Sequence, residues 1–276
     1  MKKGLISMGV LLAFLTGCTP TPSQQNLTLS GLDPARFEKL IDDTKPVKLY
    51  TLKNESGMEV CITNFGARIV SIMVPDKNGK MTDVVLGFDN IEDYINVPSD
   101  FGATIGRYAN RIGQGKITID GQEIQLPQNN YEHCLHGGPT GWQYQVFKAI
   151  QTDDKTIKLT VESPDGDNNF PGNVIASVTY TLTENNAIDI QYEATTDRKT
   201  VINMTNHSYF NLSGDPTNTV ADDILTINAD GYTPVDTTFM TTGEIAPVEG
   251  TTYDFRTAKV IGTDFGTELG AELEDA

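Results

Sequence analysis

Lys116-Ile117-Thr118-Ile119-Asp120-Gly121-Gln122-Glu123-Ile124-Gln125-Leu126 is the stretch that decides the fold. Ile117 and Ile119 alternate with polar neighbours, Asp120-Gly121 supplies a two-residue turn, and Ile124 and Leu126 resume the alternation, as a tight antiparallel hairpin requires. The same signals recur on either side of it. Asn78-Gly79 and Asn185-Asn186 mark similar reversals, and Val174–Leu182, Ala187–Thr195, Val201–Met204 and Ile224–Ile227 read as further strands. From Val47 onward there is no internal repeat and no sustained helical periodicity, so the sequence predicts an all-β chain forming one large antiparallel β-sandwich over residues 47–276. All-β sandwiches of about 200–250 residues fold as single units, which fits one domain.

Upstream of the strands, Leu32-Asp33-Pro34 predicts the start of a short helix. Asp33 can cap it, Pro34 suits its first position, Leu32 can pack onto Phe37, and the helix is expected to end by Lys45, ahead of Pro46. With 38% hydrophobic residues the chain can bury a sizeable core. Its formal charge of −17 argues against nucleic acid, whose phosphates need neutralisation by lysine and arginine. The same charge fits a neutral ligand better than an anionic one.

The chemistry concentrates in two clusters. Thr205-Asn206-His207-Ser208-Tyr209-Phe210-Asn211 holds one of only three histidines, placed where the strand pattern breaks. Histidine exchanges a proton near neutrality, so an imidazole among amides and hydroxyls points to proton transfer to a polar ligand. The second cluster, Asn110-Arg111 followed by His133-Cys134-Leu135-His136-Gly137-Gly138, places both remaining histidines near an arginine and a Gly-Gly break that lets backbone and ligand approach closely. Trp142, Tyr131 and Tyr144 could stack on the flat face of a ligand, with core packing the alternative for each. No metal site is expected: His133 and Cys134 are adjacent on an extended segment and point oppositely, and no paired ligand motif is present. No cofactor is implied either. Cys61 and Cys134 fit a disulfide or two free thiols equally well.

Several motifs together carry a resemblance. Asn64-Phe65-Gly66-Ala67, Asp83-Val84-Val85-Leu86-Gly87-Phe88, Gly106-Arg107-Tyr108-Ala109-Asn110-Arg111-Ile112, Leu135-His136-Gly137-Gly138, Thr205-Asn206-His207-Ser208-Tyr209-Phe210-Asn211-Leu212 and Tyr232-Thr233-Pro234-Val235-Asp236 occur in that order. By them the chain resembles the aldose 1-epimerase (galactose mutarotase) family over residues 47 to about 260. The resemblance implies the family's supersandwich fold and the interconversion of α and β anomers of hexoses such as galactose or glucose by acid/base ring opening. It implies His207 as the acid at the ring oxygen, with His136 assisting beside it. Asn110 and Arg111 would hold sugar hydroxyls, and Ser208 and Tyr209 would line the same pocket. The ligand is a small-molecule sugar; the oligomeric state is not legible.

The family's base is a glutamate near its C-terminus, preceded by a substrate-binding aspartate in a Phe-Asp-His-Asn-like stretch. Residues 257–276 match neither, and Glu268, Glu272, Glu274 and Asp275 lie in an acidic tail without the flanking residues that would identify the base. The expectation is therefore a sandwich incomplete at the C-terminus, with little or no mutarotase activity. The alternative function is a catalytically impaired, lipid-anchored carbohydrate-binding protein.

At the other end, Lys2 and Lys3, the apolar run from Leu5 to Leu15, and Leu15-Thr16-Gly17-Cys18 read as a lipoprotein signal peptide over residues 1–17. Cleavage before Cys18 would leave a lipidated cysteine, a flexible tether over residues 19–30 rich in Thr, Pro, Ser, Gln and Asn, and the short helix, together residues 18–46. The expected location is the bacterial cell envelope, membrane-anchored through Cys18 and facing the periplasm.

Overall fold

The structure, a computed structural model, describes residues 27–264. The expected signal peptide with Cys18, and the acidic tail from Glu268 to Asp275, lie outside the described residues.

Two four-stranded antiparallel sheets form the body of the domain. The first runs in chain order through Leu49–Lys53, Glu59–Thr63, Arg68–Pro75 and Met81–Asp83. The second runs in chain order through Lys148–Gln151, Thr156–Ser163, Val174–Leu182 and Ile188–Thr196. Period-two alternation explains how they face each other. Ile157, Leu159 and Val161 pair across the second sheet with Tyr180, Val178 and Ala176, and all six point inward. They meet Leu52, Val60, Ile62, Ile69 and Ile72 of the first sheet in one core with Trp142 and Phe147. The expectation of an all-β antiparallel architecture is met. The strand Val174–Leu182 has the predicted bounds, and its neighbour is shifted by one residue to Ile188–Thr196.

The hairpin that decided the reading is present, pairing Lys116–Ile119 with Gln122–Gln125. Asp120 and Gly121 both have positive φ, 51° and 78°, the combination that matches a two-residue turn to the twist of its strands. Ile117, Ile124 and Leu126 pack from it onto Phe170 and Cys134.

Several elements differ from expectation, among them the expected strand Ile224–Ile227, which is only Ile224–Leu225. The N-terminal helix is a single 3-10 turn, Pro34–Phe37, followed by an antiparallel pair of Lys39–Ile41 with Lys45–Val47. Asp33 does cap the turn through the Ala35 amide, and Leu32 and Phe37 are buried in one cluster. The tether also ends earlier than expected, because the Leu29 amide donates to the buried Glu59 carboxylate at 2.6 Å. Lys53 neutralises Glu59 at 2.8 Å. A six-residue helix, Ile91–Asn96, forms where none was read, capped by Asn90, whose side chain accepts from the Asp93 amide. Val201–Met204 is not a regular strand; it makes a single parallel bridge from Asn203 to Tyr108. Cys61 and Cys134 are both buried free thiols.

One buried cation organises the region from which the functional residues project. Arg68 is fully buried and donates to the carbonyls of Ser99 and Phe101 at 3.0 Å each and of Gln143 at 2.8 Å, with its guanidinium 5.2 Å from the Tyr94 ring centre. Burial pushes its pKa down, as expected for a cation without a carboxylate in direct contact. Gly102, next in the loop that Arg68 grips, has φ of 65°, and a Cβ there would stand 1.8 Å from the Ile69 carbonyl. Only glycine fits this approach.

Candidate active site

The His207 segment is positioned by strand pairing rather than by a helix. Thr205–Asn206 pairs with Thr104–Ile105, the His207 amide donates to the Ala103 carbonyl at 2.8 Å, and the Gly102 amide donates to the His207 carbonyl at 3.1 Å. The His136 segment is positioned by a second short pair, Arg111–Ile112 with Cys134–Leu135. His136 itself has φ of 52°, and Gly137 that follows has φ of 80°. A Cβ on Gly137 would lie 2.1 Å from the Gly106 carbonyl, so the turn closes only with glycine there.

These two devices bring the histidines together across the domain. Their ring centres are 5.2 Å apart and perpendicular, and the His207 ring stacks on Tyr209 at 5.1 Å. Tyr209 in turn meets the edge of Phe101 at 5.2 Å. The backbone amide of Asn110 donates to Nδ1 of His136 at 3.0 Å. That bond leaves the proton of a neutral imidazole on Nε2, so His136 presents a donor. Asp100 stands in front of that donor, with its Oδ2 at 3.9 Å from His136 Nε2. Carboxylate oxygen and imidazole nitrogens of Asp100, His136 and His207 all lie within 4.8 Å of one another. Such spacing resembles a metal site, yet His136 Nε2 carries the proton and has no lone pair for a cation. The donor set suits hydrogen bonding to an oxygen-rich ligand instead.

Burial is the largest influence on His136 and lowers its pKa from the ordinary value; nearby His207 and Arg111 act in the same direction and Asp100 opposes them. The folded chain then binds this proton less tightly than the unfolded chain does. The resulting stability is full above a pH of about 6.5 and is lost as the pH falls below it. Between about pH 7.5 and about pH 5, His136→Gln is expected to lose less melting temperature than the wild type. Equal losses in calorimetric scans of the two proteins would remove this assignment.

The sequence model of the family described as Aldose 1-epimerase matches residues 48–273. The chain belongs to the aldose 1-epimerase family. It is 39% identical over 226 residues to the aldose 1-epimerase of Escherichia coli, a match covering 82% of this chain and 65% of that protein. It is 42% identical over 239 residues to the galactose mutarotase of Mus musculus, covering 87% of this chain and 67% of that one. The chain thus spans about two thirds of the length of the relatives it matches. Among solved structures, an aldose epimerase homologue from C. elegans superposes with a TM-score of 0.76 at 35% identity, covering 81% of this chain and 69% of that one. A galactose 1-epimerase from Lactobacillus acidophilus superposes at 0.75 with 33% identity, covering 84% and 68%.

Of the residues the family resemblance singled out, His207, His136 and Tyr209 meet in one aromatic cluster. Asn110 and Arg111 join them at its rim. Arg111 is steadied by Asn130 Oδ1 at 3.0 Å and by the Phe239 ring at 5.4 Å, and the Asn110 side chain folds back onto the Arg111 amide at 2.7 Å. Ser208 does not join them. Successive side chains of an extended segment point to opposite faces, so Ser208 and Phe210 line an apolar groove with Ile69, Val84, Ile190 and Tyr192. Trp142 is buried in the main core and cannot stack on a ligand, whereas Tyr131 and Tyr144 are exposed. His133 is buried and structural: it accepts from the Gln114 amide, and its Nε2 pairs at 2.7 Å with Thr238, which the Asp236 carboxylate holds. Asp100 and Arg68 are the site residues that sequence reading missed.

Proposed function

We propose that the chain interconverts the α and β anomers of an aldohexose such as galactose or glucose. His207 protonates the ring oxygen as the bond from that oxygen to the anomeric carbon breaks, and a base removes the proton of the anomeric hydroxyl. The observation that carries the reading is the perpendicular His136–His207 pair, 5.2 Å apart, inside a family match spanning most of the chain. His136, fixed as an Nε2–H donor, holds a sugar oxygen beside His207. Arg111 offers a planar fork of donors suited to vicinal hydroxyls, and Asn110 stands next to it. Burial raises the Tyr209 phenol above its ordinary pKa, so it stays protonated under the ligand. The net charge of −17 favours a neutral hexose over a sugar phosphate.

Polarimetry started from anomerically pure galactose, together with an NMR titration of the full chain, tests the reading. Mutarotation above the buffer rate supports it. Binding without exchange between anomers would instead support a carbohydrate-binding protein that has no turnover. Neither binding nor turnover would sink both.

The envelope location is proposed from Lys2, Lys3, the apolar run to Leu15 and the Cys18 box. Metabolic labelling with a fatty acid is expected to mark the protein and to be lost in Cys18→Ala; label retained by that variant would remove the anchor.

A further inference from the structure

We propose that Tyr131 and Phe239 form an accessory sugar platform, which takes the second ring of a reducing disaccharide whose first ring occupies the His136–His207 cleft. The proposal rests on the epimerase reading above and extends its ligands from free hexoses to hexoses that carry a further glycosyl group.

Both aromatic residues hold backbone angles that bulky side chains rarely adopt. Tyr131 has φ of 49° and Phe239 has φ of 61°, in the left-handed region that favours glycine. Neither ring is buried: Tyr131 is 63% exposed and Phe239 36%. Their ring centres stand 6.2 Å apart with the planes tilted by 44°, so they form one continuous apolar face. A single exposed ring is ordinary. Two adjoining rings are another matter when each is kept at a strained turn position that glycine or asparagine would fill at lower cost. Strain of this kind gathers at ligand clamps and points to something that the rings hold.

The platform is continuous with the sugar cleft. Arg111, which holds sugar hydroxyls in the reading above, places its guanidinium 5.4 Å from the Phe239 ring centre. Its Nε donates at 3.0 Å to Oδ1 of Asn130, the residue before Tyr131. The third histidine, which takes no part in the proton chemistry, fastens the two ring-bearing loops together. The His133 amide closes the Tyr131 turn by donating to the Asn130 carbonyl at 2.9 Å, and His133 Nε2 pairs with Thr238 Oγ1 at 2.7 Å. Thr238 precedes Phe239, whose own amide donates to the Asp236 carbonyl at 2.9 Å, while the Asp236 carboxylate accepts from the Thr238 and Met240 amides. The two rings therefore ride on turns tied to each other and to Arg111, and their spacing is set before any ligand arrives.

This layout fits a saccharide. A pyranose presents an apolar face of C–H groups and a rim of hydroxyls; an aromatic face takes the first and a guanidinium fork takes the second. A reducing disaccharide keeps one free hemiacetal, which ring opening requires, so its reducing ring enters the cleft and its other ring lies outside. Tyr131 and Phe239 offer that outer ring a flat face beside the arginine that holds the inner one. The platform adds binding and orientation and no covalent step.

NMR titrations of the full chain compare glucose with maltose, cellobiose and lactose, each of which carries a second pyranose on a reducing glucose. At least one of the three is expected to bind about tenfold more tightly than glucose, the scale of one ring stacked on an aromatic face. In Tyr131→Gly, which removes the ring and relieves its backbone, that advantage is expected to shrink to about twofold or less while glucose affinity stays at the wild-type value. Phe239→Leu, which keeps an apolar contact for Arg111, is expected to lose about threefold or more of the disaccharide affinity. Disaccharides that bind the wild type no more tightly than glucose would overturn the platform and leave the cleft standing, as would an advantage that survives in Tyr131→Gly. Polarimetry of the same samples reads turnover separately: binding without mutarotation removes the epimerase reading, and the disaccharide preference is still decided by affinity. A wild type that binds none of the four sugars removes both.

Discussion

His207→Ala is expected to reduce mutarotation by two to four orders of magnitude, the span typical of a positioned general acid. The loss should fall on turnover rather than on affinity. His136 and Arg111 are held by their own partners, Asn110 and Asn130, and neither depends on the His207 ring for its position. The His207 backbone is tied by its amide and carbonyl to Ala103 and Gly102, bonds that alanine keeps, so the variant should fold. Polarimetry at saturating sugar reads the effect directly, and NMR line shapes give the affinity. A variant that turned over at more than half of the wild-type rate would show that the proton reaches the ring oxygen by another route.

Arg68→Leu should have the largest effect on stability. Removing the guanidinium strands three carbonyl acceptors, that of Gln143 buried and those of Ser99 and Phe101 partly buried, and deprives the Tyr94 ring of its cation. Each stranded acceptor costs about 1–3 kcal/mol, and loss of a buried charged partner typically about 3–5 kcal/mol in total. Set against a usual domain stability of about 5–15 kcal/mol, that is a large share. Urea titration followed by tryptophan fluorescence will report it, because Trp142 lies in the main core. Since the same arginine grips the loop that pairs with the His207 segment, any variant protein that remains folded should also lose turnover. A midpoint unchanged from wild type would mean that the carbonyls find other donors.

The fold was legible where local chemistry and tertiary burial agree. The hairpin from Lys116 to Gln125 needs both strand alternation and a turn with two positive φ angles, and Asp120-Gly121 supplies the second without help from the rest of the chain. The strand Val174–Leu182 was equally plain because every second residue is buried. The N-terminal segment misled for an instructive reason. Asp33-Pro34 is a true cap, yet a cap starts a turn and does not extend it; helix nucleation is unfavourable and short helices gain little. Lys39–Ile41 instead found a partner in Lys45–Val47. The helix Ile91–Asn96 was missed because six residues are too few to show a period of 3.6, although Asn90 ahead of Asp93 carried the capping signal.

In the candidate site, the two histidines and Arg111 stood out by residue type. Asp100 did not, since a lone aspartate between serine and phenylalanine carries no motif, and only the pairing of its loop with the His207 segment reveals the neighbour it has. Ser208 shows the opposite error. The family resemblance puts it in the pocket with Tyr209, whereas the pleat sends its side chain to the other face.

The clamp between the Leu29 amide and Glu59 sets a leash length. With Cys18 acylated, the segment from Cys18 to Leu29 reaches at most about 40 Å, at roughly 3.3–3.6 Å per residue. The sugar cleft would then work within one molecular diameter of the lipid surface.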